Sequence, residues 1–456
     1  MTFIFSLLIF LPKVLIGFAI AHLLWKDSDV SAIILKLSVG VPLELAISAS
    51  IFFISMLAGI SPRLYSWIEL CLFLILSVPI LILIINSMRK HMKILKPSQL
   101  DILEAIIILA GAFLGIGVFL SYSNMQPYGL EDAWSMWNLT PRFIFRGNSP
   151  AVLLNSQFYN RFHPDYPVEL SLNVAWGWFV INGETTRVPI ALALLTTFTP
   201  AIIAWVTLRR WKGFIVGALG SLIIFLIPDL PSAVGQYADP LLALHAFSAT
   251  ALFYGYLKSR HTGLLILVGL LVGFSAWVKN EGILLIGVFL AVYLFAAWIH
   301  EIQWNTLKSL AIGLFIPILV VVIYKYVVGL QNDLFSGTNS PYLQITDFSR
   351  WVIIGKSFVM HFIRYANWPI SIILILLVYA TLTKIDHNEV RQSTLLFLLF
   401  IGQLAGYFFI YLITPYNLQT HIMTSMDRLI SHLMPVAILW VFATTRSLKL
   451  KIGNES

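Results

Sequence analysis

The chain has 456 residues, 59% of them hydrophobic and only 11% charged, whereas a water-soluble domain carries about 25% charged residues. That composition excludes a soluble globular protein and makes lipid the solvent. The formal charge of +8 sits in short clusters between apolar runs, which excludes a nucleic-acid partner, and the single cysteine, Cys71, excludes an intrachain disulfide or a cysteine metal cluster.

A spanning helix needs about 20 apolar residues. Runs of that kind occur at 3–24, 32–57, 67–87, 102–121, 188–208, 240–257, 283–299, 310–328, 369–382, 394–413 and 429–445. Two shorter ones lie at 214–226 and 264–278, giving about thirteen expected spans. The first run lacks a basic leader and is long for a signal peptide, so it is read as a retained span. The segment 166–181 is apolar but short, and it contains Glu169, Asn173, Trp176 and Trp178.

Charge parity decides how that segment is read. Cytoplasmic loops collect Lys and Arg. The loop with Arg89, Lys90, Lys93 and Lys96 is therefore cytoplasmic, and the next span delivers Tyr122 outside. If 166–181 lies parallel to the membrane, Arg209, Arg210, Lys212, Lys258, Arg260, Lys308, Lys384, Arg391, Arg446, Lys449 and Lys451 all return to the cytoplasm. With Lys26 and the first four, that is 16 of 29 basic residues. The expected fold is an all-α polytopic bundle with a membrane-parallel helix in its first large external loop. The division is N-terminal transmembrane helices at 1–100, a module at 101–446 with external loops at 122–187, 329–367 and 414–428, and a basic cytoplasmic tail at 447–456.

The same parity puts five polar motifs outside. Glu131 and Asp132 are adjacent carboxylates flanked by Trp134 and Trp137; like charges side by side need a cation, metal or proton to relieve them, which suits a base or ligand as well as a solvated loop. His163 and Asp165 sit in His-Pro-Asp-Tyr-Pro, where Asp165 also suits a helix N-cap. Asp239 precedes Pro240 where a loop re-enters a span, a position that favours capping. Lys279 and Glu281 form a polar corner between two spans and can pair with each other. Asp427 and Arg428 can do likewise, or the guanidinium fork can hold a phosphate. Together these residues suit a reaction on a lipid-linked phosphate: the tail stays in the bilayer, cations meet the phosphate, and a carboxylate deprotonates an incoming hydroxyl.

In the order Glu131-Asp132-Ala133-Trp134, His163-Pro164-Asp165-Tyr166-Pro167, Gln236-Tyr237-Ala238-Asp239, Trp277 to Gly282 and Thr424-Ser425-Met426-Asp427-Arg428, the chain resembles the GT-C superfamily of membrane glycosyltransferases. The resemblance is to the branch related to protein mannosyltransferases and aminoarabinose transferases. It implies an enzyme of the plasma (inner) membrane with an external or periplasmic active face. The donor would be a polyprenyl-phosphate-linked sugar, and the acceptor a glycan, lipid or protein of the cell envelope. It implies an inverting transfer with Asp132 as base, Glu131 as helper or alternative base, and Lys279 and Arg428 on the leaving phosphate. His163, Asp165, Asp239, Glu281 and Asp427 fall among the implied substrate contacts. The family's acidic motif is commonly Asp-Glu, and here the order is reversed. Some relatives use a divalent metal and others do not. The three spans before Asp101 look like an addition to the family layout.

Two other functions compete. A transporter or flippase of lipid-linked sugars needs polar residues near the midplane; Lys13, Lys36, Glu44, Glu69 and Lys325 are available, but the sequence shows no internal repeat of the kind many transporters have. A polysaccharide polymerase or ligase would use external loops with a different residue set.

Overall fold

A computed structural model describes residues 3–91, 99–149, 151, 165–328, 341–365 and 371–447. Their regular structure is helical, with one isolated β-bridge between Ile385 and Thr445. The N-terminal group is α1 (Phe3–Leu8), α2 (Leu11–Leu24), α3 (Val30–Leu57) and α4 (Pro62–His91). Then come α5 (Gln99–Met125), a π-helical turn (Ala133–Trp137), α6 (Leu139–Gly147) and α7 (Glu169–Ile181). The middle of the chain forms α8 (Arg187–Lys212), α9 (Phe214–Leu226), α10 (Leu230–Val234), α11 (Asp239–Ser259), α12 (Thr262–Val278) and α13 (Glu281–Trp298). The last part holds α14 (Leu307–Val328), α15 (Pro341–Thr346), α16 (Phe348–Ile363), α17 (Ile372–Thr383), α18 (Val390–Ile413) and α19 (Leu418–Thr444).

Ten helical stretches among the described residues are long and apolar enough to cross a membrane, so the chain is an all-α multi-pass membrane protein. The first of them, 3–24, is one apolar run broken between α1 and α2. Three further apolar helices, α9, α12 and α17, stand at other positions read as spans but are shorter. At 13 and 12 residues, α9 and α17 rise only about 20 Å, short of an apolar core about 30 Å thick.

Charges gather at the two ends of the bundle. At one end Arg209 meets Asp101 and Glu104, Arg210 meets Asp27 and Asp29, Lys212 meets Asp386, Lys258 meets Glu389, and Arg260 meets Glu301. These are the basic clusters that parity put together. Helix α11 carries Lys258 at this end and Asp239 in its first turn, about 30 Å away along its axis.

Twelve of the thirteen residues of α7 are buried, and it packs on α3, α4, α6 and α8. Its all-round apolar character reflects enclosure by protein. At about 20 Å it is too short to span alone. A polar knot joins it to the N-terminal helices: Lys13 pairs with Glu69 at 3.1 Å, donates to Ser48, reaches Asn173 Oδ1 at 3.5 Å, and lies 4.1 Å from the Trp176 ring centre. Asn173 also donates to the Leu45 carbonyl at 2.9 Å. Residue 100 therefore marks no break in packing, since one apolar core runs from Ile9 to Ala443.

Close helix crossings depend on glycine. A Cβ on Gly313 of α14 would overlap the Ile266 carbonyl of α12, and Gly269 and Gly313 face each other across the contact. Small residues let backbones approach in this way in membranes. The expected effect of Gly313→Ala is a loss of about 1–3 kcal/mol from overpacking, read as a lower unfolding midpoint in detergent than for Gly287→Ala, where the added methyl meets open space.

Candidate functional site

The site starts from two loops locked together. After α5 the chain turns through Gly129, whose φ of +74° and proximity to the Gly235 carbonyl (2.6 Å from where a Cβ would stand) both require glycine. Leu130 N–H donates to that carbonyl at 3.2 Å. Gln236 accepts from Asn138 at 2.7 Å and donates to the Pro127 carbonyl at 3.1 Å. These bonds bring the Asp132 motif against the first turn of α11, where Asp239 begins.

Asp239 is fully buried and has three basic neighbours. Its Oδ1 accepts from Lys279 Nζ and from His432 Nε2, each at 2.9 Å. Its Oδ2 accepts from Arg428 Nε at 3.1 Å and from Arg428 NH2 at 2.8 Å. Tyr407 O–H donates to His432 Nδ1 at 3.0 Å, which fits a ring carrying its proton on Nε2. Arg428 continues from Asp239 to Asp132, whose Oδ2 is 2.7 Å from NH1. Lys279 continues to Glu281 at 3.0 Å.

A rim adjoins this network. Asn280 donates to Asp165 Oδ2 at 2.6 Å and accepts from Lys325 at 2.8 Å, and Lys325 also donates to the Asp165 carbonyl. Two tyrosines form walls: the Tyr237 ring lies 4.6 Å from Arg428 and the Tyr166 ring 5.6 Å from Lys279. Burial, with Asp132 beside it, pushes the Tyr237 phenol up to about 12, so it stays protonated at neutral pH. Burial opposes the charge on Lys279, but Asp239 and Glu281 more than offset it and hold its pKa above the ordinary lysine range.

Exposure separates the roles. Asp239 and Lys279 side chains are 0% and 3% exposed, whereas Arg428 and Asp132 are 20% and 23% exposed. Among the described residues, three of the five N–H groups of Arg428 are engaged, all by the two carboxylates. Lys325, 28% exposed, is the other accessible cation at the rim.

Several sequence expectations are corrected here. Asp239 is not a helix cap: Ala238 holds that position, and the Asp239 carboxylate is spent on cations. Asp165 does not cap α7, which begins at Glu169 after Val168; it binds Asn280 instead. Asp427 does not pair with Arg428; it faces away, 59% exposed, and meets His361 Nδ1 at 2.6 Å. Lys279 does pair with Glu281, but with Asp239 as well, and its side chain is 3% exposed. Glu131 is exposed, outside the network that holds Asp132. His163 lies outside the described residues.

Sequence reasoning missed His432 and put Lys325 elsewhere. His432 stands four residues after Arg428 on α19, hence on the same helical face, and that spacing was the available signal. Among the described residues no group of three or more His, Cys, Asp or Glu side chains could hold a metal ion, because the clustered carboxylates face cations. Comparison with family models, curated proteins and solved structures finds no match to this chain.

Breaking a buried ionic network by removing one partner costs about 3–5 kcal/mol. Asp239→Ala is therefore expected to destabilise the protein by about that amount, while Asp427→Ala, at an exposed pair, should cost less than about 1 kcal/mol. Reversible unfolding in mixed micelles would measure both; equal losses would show that Asp239 anchors nothing.

Proposed function

We propose that the protein is an inverting glycosyltransferase that moves a sugar from a polyprenyl-phosphate donor to a hydroxyl of a cell-envelope acceptor. The observation that carries the reading is the contact of Asp132 with Arg428 at 2.7 Å, between a carboxylate and a guanidinium fork that both stay partly exposed while the network behind them is closed.

In this reading the donor phosphate takes the two remaining N–H groups of Arg428 and displaces its hold on Asp132. The released carboxylate accepts the proton of the acceptor hydroxyl as its oxygen attacks the anomeric carbon. The bond from that carbon to the phosphate oxygen breaks on the opposite face, and its electron pair leaves with the polyprenyl phosphate. Arg428 meets the charge that develops there. Asp239, backed by Lys279 and His432, positions Arg428 and touches no substrate. Lys325 offers a second cation to the phosphate.

The basic clusters at the far end of α11 support the reading in which that end is cytoplasmic and the Asp132 face is external. Lys13 and Glu69, available to a transporter reading, instead hold each other within the polar knot.

Asp132→Asn keeps the shape and removes the base, so transfer should fall about 10²–10⁴-fold with an unchanged melting profile. The assay is sugar transfer from a synthetic polyprenyl-phosphate hexose to an envelope-lipid extract by purified full-length protein. Near-normal transfer in the variant removes Asp132 as base; movement of the donor across liposomes without transfer would replace the whole reading with a flippase.

A further inference from the structure

Apart from the Asp132 site, the polar knot of α2, α3, α4 and α7 contains one more acid than it can balance. Glu44 stands near the middle of the 28-residue α3, about 20 Å along the axis from either end. It is 1% exposed, and neither carboxyl oxygen has a hydrogen-bond partner among the described residues. The charges that bear on it are Lys13 of α2 and Glu69 of α4. One lysine therefore faces two carboxyl groups.

Every donor of the knot is spent elsewhere. The three N–H groups of Lys13 go to Glu69 Oε2 at 3.1 Å, to Ser48, and to Asn173 Oδ1 at 3.5 Å. Ser48 donates its hydroxyl to Glu69 Oε2 at 2.9 Å, and Tyr65 donates to Glu69 Oε1. Asn173 donates to the carbonyls of Leu45 and Glu169, each at 2.9 Å. Glu69 thus has a cation and two hydroxyls, and Glu44 has none of these. Other ionisable groups on the helices packed against α3 are engaged or remote. Glu169 of α7 binds His245 of α11, and Arg209, Arg210 and Lys212 of α8 meet acids at the far end of the bundle. Arg63 of α4 and Arg187 of α8 are exposed. Lys36, eight residues before Glu44, is about 12 Å away along the axis of α3, donates to the Asp27 carbonyl and lies 3.2 Å from His22 of α2.

A carboxylate in apolar surroundings, without donors or a cation of its own, gives up its charge by taking a proton. We infer that Glu44 is a proton-binding site within the membrane: its carboxyl holds a proton at neutral pH while Glu69 holds the lysine, and release of that proton draws Lys13 from Asn173 and weakens the tie of α7 to the N-terminal helices. The ligand is a proton rather than a metal cation, because the Lys13 ammonium beside the site repels a second ion. This inference does not depend on the transferase reading.

Infrared difference spectroscopy of the purified full-length protein tests it. At neutral pH, subtracting the spectrum of Glu44→Gln from that of the wild type should leave the C=O stretch of a neutral carboxyl group, and the band should vanish as the pH is raised. Glu44→Gln and the apolar Glu44→Met should both fold, since each replaces a group without charge. In mixed micelles the folded wild type holds a proton that the unfolded chain has released. Its folding equilibrium constant should therefore fall about 10-fold per pH unit relative to Glu44→Gln, from above the ordinary carboxylate range until Glu44 ionises. A carboxylate band in place of the neutral one would overturn the inference. So would a neutral band that sodium chloride removes, or misfolding of both variants, because each would show Glu44 working as an anion. Loss of transfer by Asp132→Asn with an unchanged Glu44 band keeps the proton site distinct from the proposed reaction.

Discussion

A carboxylate that stays ionised with no access to water, at the head of a membrane helix, needs fixed counter-charge. Asp239 is in that position, and the helices around it are arranged to supply what it needs. Lys279 comes from the corner between α12 and α13, and Arg428 and His432 from two successive turns of α19. Each of these bonds fixes one element to α11. The network is therefore a joint first, and any reactivity of Arg428 is inherited from a position that Asp239 holds. Charge at bilayer depth is expensive, which is why such groups pair or mark function; here Asp239 and Lys279 do the first, and Asp132 and Arg428 are offered for the second.

Adjacent acids at 131 and 132 behave differently because only one meets the network. The turn at Gly129 and the Asn138–Gln236 bond set the rotation of this loop, so that Asp132 faces Arg428 while Glu131 faces out. What separates the two acids is which of them the turn directs toward Arg428.

Much of the fold could be read from hydrophobic runs, because in lipid nearly every apolar stretch of the right length is a helix. The thirteen helical positions came from that rule, and the grouping of basic residues at one end from charge parity. The enclosure of α7 did not, since an apolar helix looks the same whether protein or lipid surrounds it. For the site, the sequence named Asp132, Asp239, Lys279, Glu281 and Arg428, and the chain brings these five together over nearly 300 residues of separation. It could not tell which were joint and which were open, because Asp239 before a proline looks like a cap and Asp427 beside Arg428 looks like its partner. Those are local readings, and the actual partners come from distant helices, which no spacing along the chain reports. His432 was invisible for the same reason: its meaning comes from Asp239, 193 residues earlier.

The knot of Lys13, Ser48, Glu69 and Asn173 bears on how small the molecule can be made. Cutting away α1 to α4, on the view that they are an addition, would remove the α3 and α4 packing from α7 and leave Asn173 without its partners Lys13 and the Leu45 carbonyl. Helix α7 leads into α8 and holds Glu169 against His245 of α11 at 3.1 Å, so the damage would travel along α11 to Asp239 at its head. The opening fifth of the sequence is thus part of the packing that supports α7 and, through it, α11.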